Sequence, residues 1–95
     1  MPEMHYRLRW PDDSVSTCYS PSRVIKDHFE EGGSYPMADF LARARTATQL
    51  ASERVAAKYG FACSRAADQL GAIEAVAERF AQWPQARVQM IEFLE

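Results

Sequence analysis

The chain lacks the features that would mark it for a charged polymer, a membrane or a metal. Its formal net charge is −2. The strong basic excess that draws a protein to nucleic acid or to an anionic membrane surface is missing, so neither is expected as a partner. No stretch approaches the ~20 apolar residues of a membrane-spanning helix. The opening residues, Met1-Pro2-Glu3-Met4-His5, carry no basic head and no apolar run of a secretory leader, which predicts a cytoplasmic protein. Cysteine is scarce, with Cys18 and Cys63 the whole complement. In a reducing compartment both are expected as free thiols, and two thiols alone make no zinc site. Gly32-Gly33 is followed by no Lys-Ser or Lys-Thr pair and preceded by no strand, which excludes a phosphate-cradling loop. No nucleophile elbow is present. His5 and His28 have no helical pair spacing with an acid between them and read as surface or cap histidines. No metal or cofactor is expected.

What is present describes a small mixed domain. The 95 residues are 47% hydrophobic and 25% charged, which fits one globular domain over residues 1–95 with a small core. Of the 11 basic residues, 9 are Arg and 2 are Lys. Met4, Tyr6, Leu8 and Trp10 alternate with His5, Arg7 and Arg9, the period of a half-buried strand. Pro11-Asp12-Asp13-Ser14 reads as a turn, and Val15 to Ser20 as the return strand. With Asp12 and Asp13 at the tip, Trp10 faces Val15, Leu8 faces Thr17 and Tyr6 faces Tyr19, which puts every large apolar side chain on one face. A bulge at the turn would swap the faces and bury Cys18 instead. Ser20, as cap, and Pro21 open one or two helical turns or an irregular piece, with Val24, Ile25, His28 and Phe29 along its apolar edge. Glu30 to Ser34 closes it, and Gly32-Gly33 makes this connection the expected mobile point.

Two long helices follow. Pro36 starts the first. Phe40, Leu41, Ala44, Thr48, Ala51, Val55 and Tyr59 recur at steps of three and four, over about 24 residues or roughly 36 Å. Gly60 is placed as a left-handed cap, with Phe61 as the apolar contact that often follows one. Ser64 is the expected cap of the second helix, whose stripe is Ala66, Leu70, Ile73, Ala77 and Phe80. Gly71 marks either close packing or nothing. The short joint makes the helices an antiparallel pair, and Trp83-Pro84 breaks the second. In the tail, Val88, Ile91 and Leu94 fit a helix, whereas Val88 with Met90, or Ile91 with Phe93, fit a kinked strand. A lone hairpin is marginal and a third strand completes a sheet, so the tail is assigned as strand. The fold class is α+β: a β-hairpin, two long antiparallel helices and a C-terminal strand, as a three-stranded antiparallel sheet with helices on one face.

Chemistry is thinly signalled. Cys63 is the one low-grade catalytic candidate: it precedes a helix start, where the dipole lowers a thiol pKa. Against that, no histidine lies nearby in sequence, and a small buried hydrophobe in the joint is the leading reading of Cys63. Asp27-His28 reads as a surface dipeptide, because adjacent helical residues diverge. His5, Arg7, Arg9 and Arg87 can share the outer sheet face, but a sheet that reads RNA displays aromatics there, and Tyr6 and Trp10 face inward. The surplus of aromatic and apolar side chains over what so small a core can bury predicts a partner surface.

The blocks His5-Tyr6-Arg7-Leu8-Arg9-Trp10-Pro11-Asp12, Cys18-Tyr19-Ser20-Pro21-Ser22, Tyr35-Pro36-Met37-Ala38-Asp39-Phe40, Ala51-Ser52-Glu53-Arg54-Val55 and Lys58-Tyr59-Gly60-Phe61-Ala62-Cys63-Ser64 resemble a family of small bacterial nitrogen-starvation-response proteins. The last block is the most specific, and the resemblance spans nearly the whole chain. It is similar in particular to the small member of gene clusters built around a nitrilase, with a radical-SAM protein, an acetyltransferase-like protein and a flavoprotein nearby. The resemblance implies a bacterial cytoplasm and a nitrogen-metabolism context, and it transfers no catalytic residue. The function expected is a non-enzymatic accessory protein acting as a homo-oligomer or with a protein encoded in the same gene cluster. The alternative is a small enzyme or ligand-binding protein using Cys63.

Overall fold

The computed structural model describes residues 3–61 and 64–94. Along the chain come β1 (Met4–Arg9), β2 (Val15–Ser20), a short 3-10 helix (Arg23–Asp27), β3 (Ser34–Pro36), α1 (Met37–Tyr59), α2 (Ser64–Glu78) and β4 (Arg87–Leu94). The strands form one antiparallel sheet in the order β2-β1-β4-β3. The fold is therefore α+β as the pattern predicts, and the tail is a strand. It carries one strand more than expected, because Ser34, Tyr35 and Pro36 pair with β4 before the chain turns into α1.

The alternation in β1 holds: Met4, Tyr6, Leu8 and Trp10 are buried, and His5, Arg7 and Arg9 are exposed. The return strand has the opposite phase to the expected one. Trp10 N–H donates to Ser14 O at 2.8 Å and Asp13 N–H to Trp10 O at 2.9 Å, with Asp13 at φ 69°. The loop is therefore three residues, 11–13, a type of connection that ends on a left-handed residue. The Asp12 carboxylate accepts from Ser14 Oγ (2.6 Å) and Ser14 N–H (3.0 Å), and these bonds hold it below its ordinary pKa. One residue fewer in the loop moves the register by one. Tyr6 sits opposite Cys18, Leu8 opposite Ser16 and Arg9 opposite Val15. Cys18 is consequently inside, while Val15, Thr17 and Tyr19 share the outer face with His5, Arg7 and Arg9.

The cap of the 3-10 helix is Ser22, whose Oγ accepts from Val24 N–H at 3.3 Å. Ser20, expected in that role, donates instead to Ser22 O at 2.6 Å. The Gly32-Gly33 connection is tied to the sheet: Gly32 N–H donates to Met90 O (2.6 Å) and Met90 N–H to Gly33 O (2.8 Å). A Cβ at Gly33 would stand 2.7 Å from Tyr35 Oη and 3.0 Å from Glu30 O, so a larger residue there displaces the Tyr35 side chain. In β4 the pairing with β1 slips between Arg7 and Leu8, so that Leu8 opposes Met90 and Arg7 opposes Glu92. Ile91 is the extra residue of a bulge. The bulge lets both Met90 and Phe93 join the core side although they are three residues apart.

The helices cover the inner face. Phe40, Ala44, Ala47, Ala51 and Val55 are buried along α1, and Ala66, Ile73 and Ala77 along α2, with Phe80 buried in the turn beyond it. Five aromatic rings run through one end of this core as neighbours, Tyr35, Phe29, Phe40, Trp10 and Phe80, with centroid separations of 5.2–6.2 Å, and the half-exposed Trp83 ring lies at its margin, 5.0 Å from Phe80. Such spacings suit edge-to-face and offset contacts. At the other end Gly60 takes φ 84° and its N–H donates to Ala56 O at 2.8 Å, the left-handed cap the sequence calls for. Phe61 does not pack beneath it. It is 69% exposed, and Tyr59, expected on the buried stripe, is 52% exposed. A helix of 23 residues outruns the face available to bury it. Gly71 is exposed and faces open space, so it marks no close packing.

Candidate functional site

Cys63 lies outside the described residues, as does the capping position before α2, which begins at Ser64 itself. The flanks of the joint are described: Tyr59, Gly60 and Phe61 are all exposed. The Lys58 ammonium lies 5.7 Å from the Tyr59 ring centroid.

The other thiol is buried. Cys18 is buried beneath α2, and burial pushes its pKa up to about 12. A thiol held protonated is a poor nucleophile. Its cross-strand neighbour Tyr6 is likewise raised, chiefly by burial and then by the charge that Cys18 would carry. His28 is half-buried at the end of the 3-10 helix, where its backbone carbonyl accepts from Arg43 Nη1 at 2.8 Å. Arg43 is also held by Asp39 (3.0 Å) and stacks over Tyr35 at 4.8 Å. His28, Tyr35 and Arg43, with Lys26, Asp27 and Glu30, line a polar cleft of about 340 Å³. Arg43 there is a brace between α1 and the preceding loop.

On the outer sheet face Arg7 pairs with Glu92 at 3.4 Å, and Arg87 donates to Ser34 Oγ (2.9 Å) and Ser34 O (2.8 Å). Tyr19 joins this face, its ring 5.8 Å from His5 and under the Arg65 guanidinium at 4.0 Å. Arg9 is exposed and has no ion pair among the described residues.

Two of the apolar hollows that border α2 bear on the site. One, of about 400 Å³, opens between α1 and α2 and is lined by Thr48, Ser52, Ala56, Ala67 and Leu70 with Arg45 and Glu53 at its rim. The other, of about 210 Å³, lies between β2 and α2 over Trp10, Cys18, Ile73 and Val76. Trp10 Nε1–H donates to Ser16 Oγ there at 2.9 Å. The preferred register hides this second hollow because it turns Cys18 and Ser16 outward, whereas the swapped register that the sequence also allows buries Cys18, as observed. The signal was in Pro11-Asp12-Asp13, since a proline followed by two aspartates suits a type I turn with a left-handed third residue.

Among the described residues no group of three His, Cys, Asp or Glu is placed to hold a metal, and no helix is long and apolar enough to cross a membrane. A family model described as Nitrogen starvation-induced protein NitG matches residues 5–93. No curated protein and no solved structure matches the chain.

Proposed function

The chain belongs to the nitrogen starvation-induced NitG family, and from that premise we propose that it is a non-enzymatic accessory protein of the nitrogen-limitation response. It acts in the bacterial cytoplasm, bound to another protein, and the gene-cluster resemblance points to a product encoded beside a nitrilase. The observation that carries this reading is the exposure of Tyr59 and Phe61 on either side of Gly60. Exposed aromatic side chains at the end of a long helix suit an anchor for a partner, because aromatic residues dominate the energetics of protein interfaces.

Affinity capture of the tagged chain from nitrogen-starved and nitrogen-replete cells tests it. A stoichiometric partner recovered under starvation, and lost with a Tyr59→Ser, Phe61→Ser double variant, is expected. A monodisperse monomer that retains nothing overturns the reading. Sedimentation of the purified protein separates a second copy from a different chain as that partner.

A further inference from the structure

The rim of β2 carries backbone groups that have no partner among the described residues. Trp10 and Ser14 bond directly across the hairpin, so Ser16, Cys18 and Ser20 turn their backbone groups toward β1. Val15, Thr17 and Tyr19 therefore turn theirs outward. Tyr19 confirms the phase, because its N–H donates to Gln69 Oε1 of α2 at 2.9 Å. Val15 and Thr17 are exposed, and their outward N–H and C=O groups have no partner among the described residues. Natural edge strands are commonly blunted by charge or proline, yet β2 reads Val-Ser-Thr-Cys-Tyr-Ser. The 210 Å³ hollow between β2 and α2 lies along the same stretch.

We infer that this slot receives one extended segment of a partner protein as a fifth strand beside β2, with residues alternately aliphatic and acidic. The alternation follows from the two faces of the rim. Every second side chain of an added strand points to the inner face, where it meets the hollow over Ile73 and Val76. The others point to the outer face, one strand away from the Arg9 guanidinium, which has no ion pair among the described residues. Gln69 closes the slot at Tyr19, which limits the added pairing to the Val15–Thr17 end.

A second copy of this chain fits the slot poorly. α2 lies along β2, with Gln69 reaching around its rim. A twofold axis through Ser16 would pair the two β2 strands about 4.8 Å apart and place both α2 helices on the same face, where packed helices need about 8–10 Å. A single peptide brings no such helix.

The inference rests on the accessory reading only for the source of the segment. The test uses a fluorescein-labelled eight-residue peptide of alternating valine and glutamate, followed by fluorescence anisotropy and by backbone amide shifts. Saturable binding that moves the Val15 and Thr17 amides is expected. Thr17→Pro deletes an outward N–H without removing a β1 bond, and Ala72→Arg fills the hollow from α2. Each is expected to weaken binding at least tenfold while the far-ultraviolet spectrum is kept. Arg9→Ala weakens it several-fold, and a valine–lysine peptide binds correspondingly less. Binding unchanged by Ala72→Arg, shifts confined to other residues, or no binding to the folded wild type overturns the inference. A dimer abolished by Thr17→Pro also overturns it, in favour of a second copy. If starved-cell capture succeeds equally for wild type and Ala72→Arg, the strand slot fails and the accessory role stands. If wild type captures nothing, the accessory role fails whatever the peptide does.

Discussion

At the start of α1, Phe40 packs among rings from the turn after β1 and from the loop before β3, while Tyr59 at the far end lies half in solvent. The same helix is sealed at one end and open at the other. The sealed end buries wide aromatic surface, which carries most of the hydrophobic stabilisation per residue. The open end is held by Ala47, Ala51 and Val55, small side chains that permit close approach but remove little area from water. Stability in such a molecule is graded along its 42 Å length. Side chains at the open end can serve a partner with little consequence for folding.

The largest effect is expected at the sealed end. Phe40 is 1% exposed and touches both Trp10 and Phe29. Phe40→Ala removes those contacts and leaves a cavity, a change that costs about 3–5 kcal/mol. Urea denaturation measures it. A loss below about 1 kcal/mol would mean that the aromatic row does not hold the domain, and the contrast between the ends would collapse.

The thiols sharpen the contrast by chemistry. With Cys63→Ser, Cys18 is the sole thiol, and it is expected to resist alkylation until the protein is unfolded. Its pH dependence has a fixed sign. Burial raises the folded thiol from 9.0 to about 12, so above pH 9 the unfolded chain loses a proton that the folded chain keeps. Stability from this group is intact below pH 9 and falls as pH rises toward 12. Tyr6, raised in the same way, adds to the decline. Thermal melts between pH 8 and pH 11 are expected to show this limb, and Cys18→Ala is expected to make it shallower. Ready labelling of native Cys18 would mean that the hollow above it admits reagent as far as the thiol in the folded protein.

The sealed end was largely legible in the sequence and the rims were not. The strict alternation from Met4 to Trp10 and the three- and four-residue steps through Phe40 and Ile73 are local patterns that large apolar residues write plainly. The β-bulge in β4 was foreshadowed by Val88-Met90 and Ile91-Phe93 both fitting a strand. The phase of β2, by contrast, hangs on whether Ser14 belongs to the loop, and a single residue there reverses every side chain. Serine and threonine on that strand carry no apolar signal to decide it. β3 escaped notice because three residues ending in proline look like a helix entry, and its bonds come from a strand some fifty residues later. Tyr59 is placed inward by periodicity, which says which face a residue is on but not where the covering sheet ends, and Phe61 by the apolar contact that often follows a glycine cap.

A smaller effect is expected at the joint. Gly60 holds φ 84° with open space around the site of a Cβ. Gly60→Ala therefore meets no clash, and its cost is the left-handed conformation alone, about 1 kcal/mol. Gly71→Ala, in a helix interior with equal room, is expected to stabilise by roughly the same amount. If both substitutions move the urea midpoint in the same direction, the left-handed cap is not what ends α1.

The smallest effect belongs to Phe61, and it bears hardest on function. At 69% exposure its ring has little buried area to lose, and surface substitutions of this kind fall within about 0.5 kcal/mol. Phe61→Ser is expected to leave the urea midpoint of the domain nearly unchanged. Its retention of a partner from starved cells is expected to drop sharply. The pair of measurements separates two ways an exposed aromatic can persist. A side chain kept for folding shows its cost in the first measurement, and one kept for a partner shows it only in the second. A large loss of stability with Phe61→Ser would mean that the joint is packed in solution, and the open end would then be part of the core.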